Sequence, residues 1–501
     1  MILFRKYLVE ITILLVGAFT MIFEIVGSRI IGPYLGSSVY VWTSLIGIIF
    51  ASLSLGYWLG GLLSIKRTSY LFLAAMLISA GIFVMLTALG NTYVLDRIIK
   101  YIPGFKLRTL IAAVMLFAPA SLFFGMVLPY GVKLKMHNIT SSGKTVGKLY
   151  ATSTFGSILG TFSAGFLLLP AFGHTNVQMA ISAALFLLAA FILLLDHKWM
   201  VSLTPSILLI IAALSWNYQH HKTKDYVDQD TRYNRVLIYN TLDKETDRPI
   251  RMLRINNENS SAMFLDQDDD LVFDVLKYYR LVKHFVPGFE KTLMIGGSGY
   301  AYPKDYLKQH SNATIDVVEI DPGLTLLAKQ YFDLPVDPRL SIIHEDGRTY
   351  INRTQKKYDA VFMDAYKSIL TIPFQLTTIE AVQQLNKILG EDGVVFANII
   401  SALSEENNQF LKAEFATYSK IFPQVYLFAV QYPNPTEEEK DYFQNIMLVA
   451  IKSAEPVKFH SLDPELNGYL QNKVSIKRVD DSQILTDEYA PVEYFASKVL
   501  N

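Results

Sequence analysis

Residues 292–321 read TLMIGGSGYAYPKDYLKQHSNATIDVVEID. The apolar run Thr292–Ile295 meets a glycine cluster, Gly296, Gly297 and Gly299. After a polar span long enough for a helix, a second apolar run, Ile315–Val318, ends in Glu319 and Asp321. The pattern predicts a strand, a tight turn, a crossover and a second strand tipped with acid, the layout that binds a nucleoside at the carboxyl ends of a parallel sheet. Glycines let the backbone approach a ligand, and a carboxylate about 20 residues further on accepts hydrogen bonds from two ribose hydroxyls. Glycines between strand and helix often only make a turn. Glu319 at that distance makes the stretch a binding-site candidate.

Working outward, strands alternate with helices from Thr292 onward, with strands expected at 292–295, 315–319, 340–343, 359–363 and 393–398. This predicts a doubly wound parallel sheet. Each strand end carries something polar: Glu319 after the second, Asp346-Gly347 after the third and Asp364 after the fourth. Acids at three successive strand ends converge on one crevice, where a cationic or hydroxyl-rich ligand finds partners. Asp359, earlier in its strand, reads as a strand-end cap. Upstream, 221–233 reads as a linker, and alternating runs at Arg235–Tyr239, Ile250–Ile255 and Ser261–Leu265 predict a small antiparallel meander followed by a helix over Leu271–Phe285. The acidic run Asp266 and Asp268–Asp270 reads either as a solvated turn or as a lure for a cationic substrate.

The chain of 501 residues is too long for one compact domain, and its formal charge of zero conceals two unlike halves. Residues 1–220 hold four acids (Glu10, Glu24, Asp96, Asp196) against fourteen Lys and Arg, whereas the rest holds 41 acids and 31 bases. The basic, apolar half suits a membrane and its lipids, the acidic half suits water, and nothing resembles a nucleic-acid binder. The absence of cysteine excludes disulfides and cysteine-ligated metal, and no metal site is expected.

Seven apolar stretches approach or exceed the length that spans a bilayer, near 8–28, 39–64, 70–94, 109–130, 148–172, 175–195 and 200–217. No small-residue cleavage site follows the first, so it is not read as a signal peptide. Gly56 and Gly60, and Gly156 and Gly160, have the spacing at which membrane helices pack closely. Pro119, Pro129 and Pro205 are expected to kink helices rather than end them. Glu24 lies deep in the first stretch with Arg29 five residues on. Ionisable groups at such depth face a partner or a wet cavity, so the pair reads either as a polar pocket for a substrate headgroup or as a structural ion pair. With the N-terminus inside, inner segments carry nine Lys and Arg and outer ones five, favouring that orientation. Seven spans would then place the C-terminal half outside, where a nucleoside cofactor is not made. The chemistry favours a multi-pass cell-membrane protein with its C-terminal half in the cytoplasm.

The order of a glycine loop, VEID, DPRL (Asp337–Leu340), Asp346-Gly347, YDAVFMD (Tyr358–Asp364) and EDGVVFANI resembles the spermidine synthase family of aminopropyltransferases over about 230–400. IPFQLTT (Ile372–Thr378), LTDEYAPVE (Leu485–Glu493), KLYATSTFGSILG and the apolar half with Glu24 and Arg29 are similar to its membrane-fused members. The resemblance implies a polytopic helical membrane domain (1–220), a linker and β subdomain (221–290), and a Rossmann-like, methyltransferase-type α/β domain (291–501). It implies that Gly296, Gly297 and Gly299 line the nucleoside loop, with Glu319 and the neighbouring Asp321 on the ribose side and Asp346 and Gly347 at the adenine. Asp364 matches the catalytic aspartate that orients and helps deprotonate the attacking amine. Tyr278 matches a tyrosine that orients the nucleophile, and His284 a helix-end contact.

Departures concern the acceptor. Gly299 stands where soluble members have an aspartate, Lys367 where they have a second one, Arg280 where they have a glutamate, and Ser260 in place of a glutamine. Loss of these partners for ammonium groups argues against putrescine and for another amine or a lipid-like acceptor. The expected activity is aminopropyl transfer from decarboxylated S-adenosylmethionine, or transfer from S-adenosylmethionine itself, with a homodimer as a further possibility. The alternatives are a methyltransferase, since the glycine loop and Glu319 serve both, and a transporter with a nucleoside-sensing domain.

Overall fold

The computed structural model describes residues 2–36, 38–66, 68–136, 142–195, 226–256, 258–266, 270–365, 373–476 and 484–498. They fall in two compact units, Met1–Asp225 and Tyr226–Asn501.

The first unit is helical: α1 (Ile2–Leu35), α2 (Val39–Lys66), α3 (Tyr70–Tyr101), α4 (Phe105–Lys135), α5 (Ser142–Ser163) and α6 (Leu169–Leu195), the last two joined by a π turn at Ala164–Leu168. Six helices among the described residues are long and apolar enough to cross a membrane. The expected seventh stretch, 200–217 with Pro205, lies outside the described residues. Both glycine pairs are packing sites. A β-carbon on Gly56 or Gly60 would collide with the α4 backbone at Leu122 or Met126, and one on Gly156 or Gly160 with the α1 backbone at Leu14 or Ala18. Pro119 and Pro129 sit inside α4 without ending it. Glu10 of α1 is ion-paired with Lys135 at 3.1 Å and Lys148 at 3.3 Å.

The second unit opens with the expected meander of β2 (Arg235–Leu242), β3 (Pro249–Ile255) and β4 (Glu258–Phe264), extended by β1 (Val227–Asp230), which lies in the stretch read as a linker and pairs antiparallel with β2, giving four strands in sequence order. The single helix expected over 271–285 is instead broken into α7 (Asp274–Lys277), a 3-10 turn (Tyr278–Leu281) and α8 (Val282–Phe285). Four consecutive residues, Tyr278 to Leu281, are buried there, more than one face of a regular α-helix presents to a core.

The main sheet contains β5 (Lys291–Ile295), β6 (Thr314–Val318), β7 (Leu340–Ile343), β8 (Tyr358–Met363), β9 (Leu389–Ser401), β10 (Gln424–Ala429), β11 (Gln444–Ile451) and β12 (Lys473–Val474). Their spatial order is β12-β10-β11-β9-β8-β5-β6-β7. Strands β5 to β9 are parallel, as expected, but β11 runs antiparallel to β9 and β10 antiparallel to β11 and β12. The sheet is therefore mixed at one edge. Helices α9 (Ala301–Gln309), α10 (Pro322–Tyr331), α11 (Gly347–Arg353), α12 (Ile379–Ile388) and α13 (Gln409–Ser419) connect its strands. An aromatic cluster covers one face, where Phe362 stacks on Phe396 with ring centroids 5.6 Å apart, and an aliphatic core with Val361, Val395 and Leu385 covers the other. Strand β5 lies between β6 and β8, so the chain leaves it on one side and returns on the other. The crevice at that reversal, by the strands' carboxyl ends, is where such sheets bind ligands.

Candidate active site

Strand β5 delivers the chain into the glycine loop. Gly296 has φ +97° and donates its N–H to Val318 O at 2.9 Å, and a β-carbon there would strike the carbonyl oxygen of Asp364. Only glycine lets the ends of β5 and β8 meet so closely. Gly297 and Ser298 donate their N–H groups to Glu319 Oε2 at 2.9 and 3.0 Å, and Asp321 donates its own to Oε1 at 2.8 Å. Burial pushes the Glu319 carboxyl up from its ordinary pKa, and the three backbone donors pull it part of the way back. Glu319 thus locks the loop. With about four acceptor positions on a carboxylate, one remains where two ribose hydroxyls were expected.

Gly299 packs on the meander. A β-carbon would lie 2.6 Å from Ser261 Oγ, so the position has no room for an aspartate. Ser260 Oγ lies 2.8 Å from Ser298 Oγ, tying β4 to the loop. Asp321 is 0% exposed. It caps α10 by accepting from Gly323 N at 3.0 Å, and it also accepts from Asn234 Nδ2 at 3.0 Å and from the Thr231 hydroxyl. That carboxylate joins the meander to α10 rather than facing the crevice.

At the end of β7, Asp346 caps α11, its Oδ1 accepting from Thr349 N at 2.9 Å. Gly347 brings α11 against β5, where a β-carbon would lie 2.6 Å from Ile295 Cγ2. Arg348 donates to Gln375 O at 3.0 Å, to Thr378 Oγ1 at 3.1 Å and to Asp487 Oδ2 at 2.8 Å, fastening the segment after Asp364 and the LTDEYAPVE stretch to α11.

Asp364 follows β8, with its N–H on Ile295 O at 2.9 Å. Its Oδ1 accepts from Asn398 Nδ2 at 3.1 Å, Asn398 Oδ1 accepts from Asn445 Nδ2 at 2.9 Å, and Asn445 Oδ1 accepts from Gln431 Nε2 at 3.1 Å. Burial pushes the Asp364 carboxyl up, opposed by the Asn398 bond, so the carboxylate is a stronger base than an exposed aspartate. This amide chain went unrecognised in the sequence, although Asn398 lies within EDGVVFANI.

The structure does not bring Tyr278 to Asp364. Its hydroxyl donates to Ala429 O at 3.0 Å and accepts from Asn472 Nδ2 at 2.7 Å, at the end of β10. Three strand spacings separate β10 from β8, about 14 Å. Burial pushes the phenol up. Arg280 is buried against Asp305 at 2.7 Å, Asp270 at 2.8 Å and Glu465 at 2.6 Å, so three carboxylates outweigh its charge. His284 makes the expected helix-end contact, Nε2 lying 2.6 Å from Lys458 O. Asp359 accepts from Glu290 N and Lys291 N at 2.8 and 2.9 Å, ahead of β5. Asp266 pairs with Arg248 at 2.5 Å. Lys367, like Asp268, lies outside the described residues. Among the described residues no group of three or more His, Asp or Glu side chains is placed to hold a metal ion.

A glycine loop locked by a strand-end glutamate, with a buried aspartate carboxylate beside it, lies at the carboxyl ends of the parallel strands. Residues 278–456 match the spermine/spermidine synthase domain, so the C-terminal unit carries that domain. The chain is 29% identical over 217 residues to a probable polyamine aminopropyl transferase of Bifidobacterium longum, covering 40% of this chain and 48% of the relative. It is also 29% identical over 204 residues to an N-terminal histidine N-methyltransferase of Emericella nidulans, covering 39% of this chain and 35% of that protein. These matches span about half of the relatives' length or less. A probable spermidine synthase from Corynebacterium glutamicum superposes with a TM-score of 0.42 at 21% identity, over 55% of this chain and 95% of that one.

Proposed function

We propose that the chain is an integral membrane aminopropyltransferase that moves the aminopropyl group of decarboxylated S-adenosylmethionine to an amine. The observation that carries this reading is Asp364, a carboxylate raised in basicity by burial and held by Asn398, in backbone contact with Gly296 of the nucleoside loop. The acceptor nitrogen attacks the methylene next to the sulfonium. The carbon–sulfur bond breaks, the sulfur keeps the electron pair as the thioether of methylthioadenosine, and the amine's proton passes to Asp364. The sulfonium is already a good leaving group, so the residues here act mainly by holding the partners together and accepting the proton. Glu319, with one acceptor position left, takes a ribose hydroxyl, and Asp346 lies on the adenine side. Neutralisation of Arg280 by three carboxylates weakens one argument against a diamine acceptor, whereas the packing of Gly299 on Ser261 leaves that position without the acid.

Six helices among the described residues, long and apolar enough to cross a bilayer, support a membrane location. From an inside N-terminus, the six candidate spans among the described residues would bring the chain back to the cytoplasmic side at Leu195, the side where the donor is made. Methyl transfer from intact S-adenosylmethionine is the second reading, favoured by the similarity to a histidine N-methyltransferase.

The test is release of methylthioadenosine by the purified chain given decarboxylated S-adenosylmethionine and a panel of amines including putrescine. Turnover with wild type and a drop of about 100-fold or more in Asp364→Asn, with donor binding kept, is expected. S-adenosylhomocysteine as the product would establish methyl transfer instead. Asp364→Asn activity within a few-fold of wild type would remove Asp364 from the chemistry.

A further inference from the structure

Within the helical unit a carboxylate, a hydroxyl and an amide are buried without partners. Glu24 of α1 is 7% exposed and its Oε2 meets no donor. Ser121 of α4 and Gln178 of α6 are both 0% exposed, and neither the hydroxyl nor either end of the amide has a hydrogen-bond partner. Most other buried hydroxyls of this unit bond to a carbonyl, as Thr12 does to Leu8 O at 2.8 Å and Thr87 to Phe83 O at 2.9 Å, whereas Ser38, ahead of α2, likewise has no partner. Ser121 forgoes such a bond.

Interhelical contacts fix the levels of these groups. Helices α1 and α4 are antiparallel, since Glu10 reaches Lys135 and, further along, Gly27 packs on Phe117. Between those points the Phe23 ring sits 5.1 Å from Phe117 and 6.1 Å from Phe124, one turn to either side of Ser121 on the same face of α4. Ser121 therefore faces α1 at the level of Phe23 and Glu24. Thr87 donates to Leu116 O at 2.7 Å and Ser182 to Gly81 O at 2.8 Å, which registers α6 through α3 onto α4. That register puts Gln178 about one turn along α1 from Glu24. Arg29 and His174 lie beyond, each with a partner of its own.

We infer that α1, α4 and α6 enclose a binding site for an organic ammonium group on an alkyl chain. Glu24 supplies the counter-charge, and Ser121 Oγ and Gln178 Oε1 add acceptors, matching the three N–H donors of a primary ammonium. The rings of Phe23, Phe117 and Phe124 offer π faces to a desolvated cation and apolar walls to its methylene stem. An anion is opposed by Glu24. A hard metal ion is poorly served by so few oxygens. The site does not depend on the transferase reading of the C-terminal unit.

Equilibrium binding of radiolabelled putrescine to the full-length chain in detergent tests this. Methylthioadenosine binding, measured in parallel by calorimetry, reports the C-terminal unit. A saturable putrescine component lost in Glu24→Gln and weakened about 10-fold in Ser121→Ala, with methylthioadenosine binding unchanged, is the expected result. Putrescine binding absent in wild type, or equal in wild type and both variants, would overturn the site. If Glu24→Gln does not fold, Ser121→Ala and Gln178→Leu carry the test. Loss of methylthioadenosine binding by wild type, with the Glu24-dependent component intact, would sink the transferase reading and support this one.

Discussion

Asn398 donates its amide to Oδ1 of Asp364 at 3.1 Å while its own oxygen accepts from Asn445. Gln431 Oε1 accepts from the Asn445 backbone N–H at 2.8 Å, which orients the amide chain so that Asn398 donates to Asp364, a bond that favours the charged carboxylate. Under the proposed function, Asp364 Oδ2 would meet the acceptor's proton.

Replacing Asn398 with alanine removes what holds the Asp364 pKa down against burial. The acid limb of kcat/KM is therefore expected to move to higher pH, with turnover reduced about 10- to 100-fold, the worth of one hydrogen bond to a charged group. Methylthioadenosine release followed from pH 5 to 9 checks this. An unmoved acid limb would assign Asn398 a packing role only.

Glu319→Ala strands the N–H groups of Gly297, Ser298 and Asp321. Each orphaned donor costs roughly 1–3 kcal/mol. Affinity for S-adenosyl ligands is expected to fall more than about 100-fold, with some loss of thermal stability. Calorimetry with methylthioadenosine decides it, since unchanged affinity in a folded variant would remove Glu319 from the site.

Glu414 of α13 is 3% exposed, its Oε1 has no partner, and burial pushes its carboxyl well above the usual range. The folded state therefore holds this proton more tightly than the unfolded chain does. Stability from this group is full below the unfolded carboxylate pKa and is lost as pH rises toward the folded one. Glu414→Gln is expected to raise the unfolding midpoint at pH 8 and to lose that advantage near pH 4. A stabilisation that does not change with pH would show that the carboxyl is not the cause.

A single cysteine introduced at Asn407, on the C-terminal unit of a cysteine-free chain, reports the side of the membrane. It is expected to resist a membrane-impermeant thiol reagent in intact cells and to react after lysis. Labelling before lysis would place the unit outside the cytoplasm.

Local pattern made some of this legible. Gly296, Gly297 and Glu319 are set within one strand–loop–strand unit, and period and punctuation suffice to find them. The role of Asp321 was not legible, because its partners Asn234 and Thr231 lie 87 and 90 residues away. Arg280 misled for the same reason: Glu465, one of the acids that neutralise it, is 185 residues distant. The apolar run of β11 reads alike in a parallel or an antiparallel sheet. Its direction is set by the connection from β10, which crosses no helix of α type between Ala429 and Gln444, and so returns antiparallel.

Glu10 sits near the start of α1, and the lysine that neutralises it in α4 is 125 residues further along. At about 5–20 residues per second of synthesis, the ribosome needs roughly 6–25 s to make Lys135 after Glu10, and longer to make Lys148. For that interval α1 has a carboxylate with no counter-ion and glycine-facing surfaces with no α5 to cover them. If the chain is membrane-inserted as proposed, newly made α1 has to wait, at the membrane surface or beside an insertion factor, until the later helices arrive. Truncations ending before α4 should leave it poorly inserted.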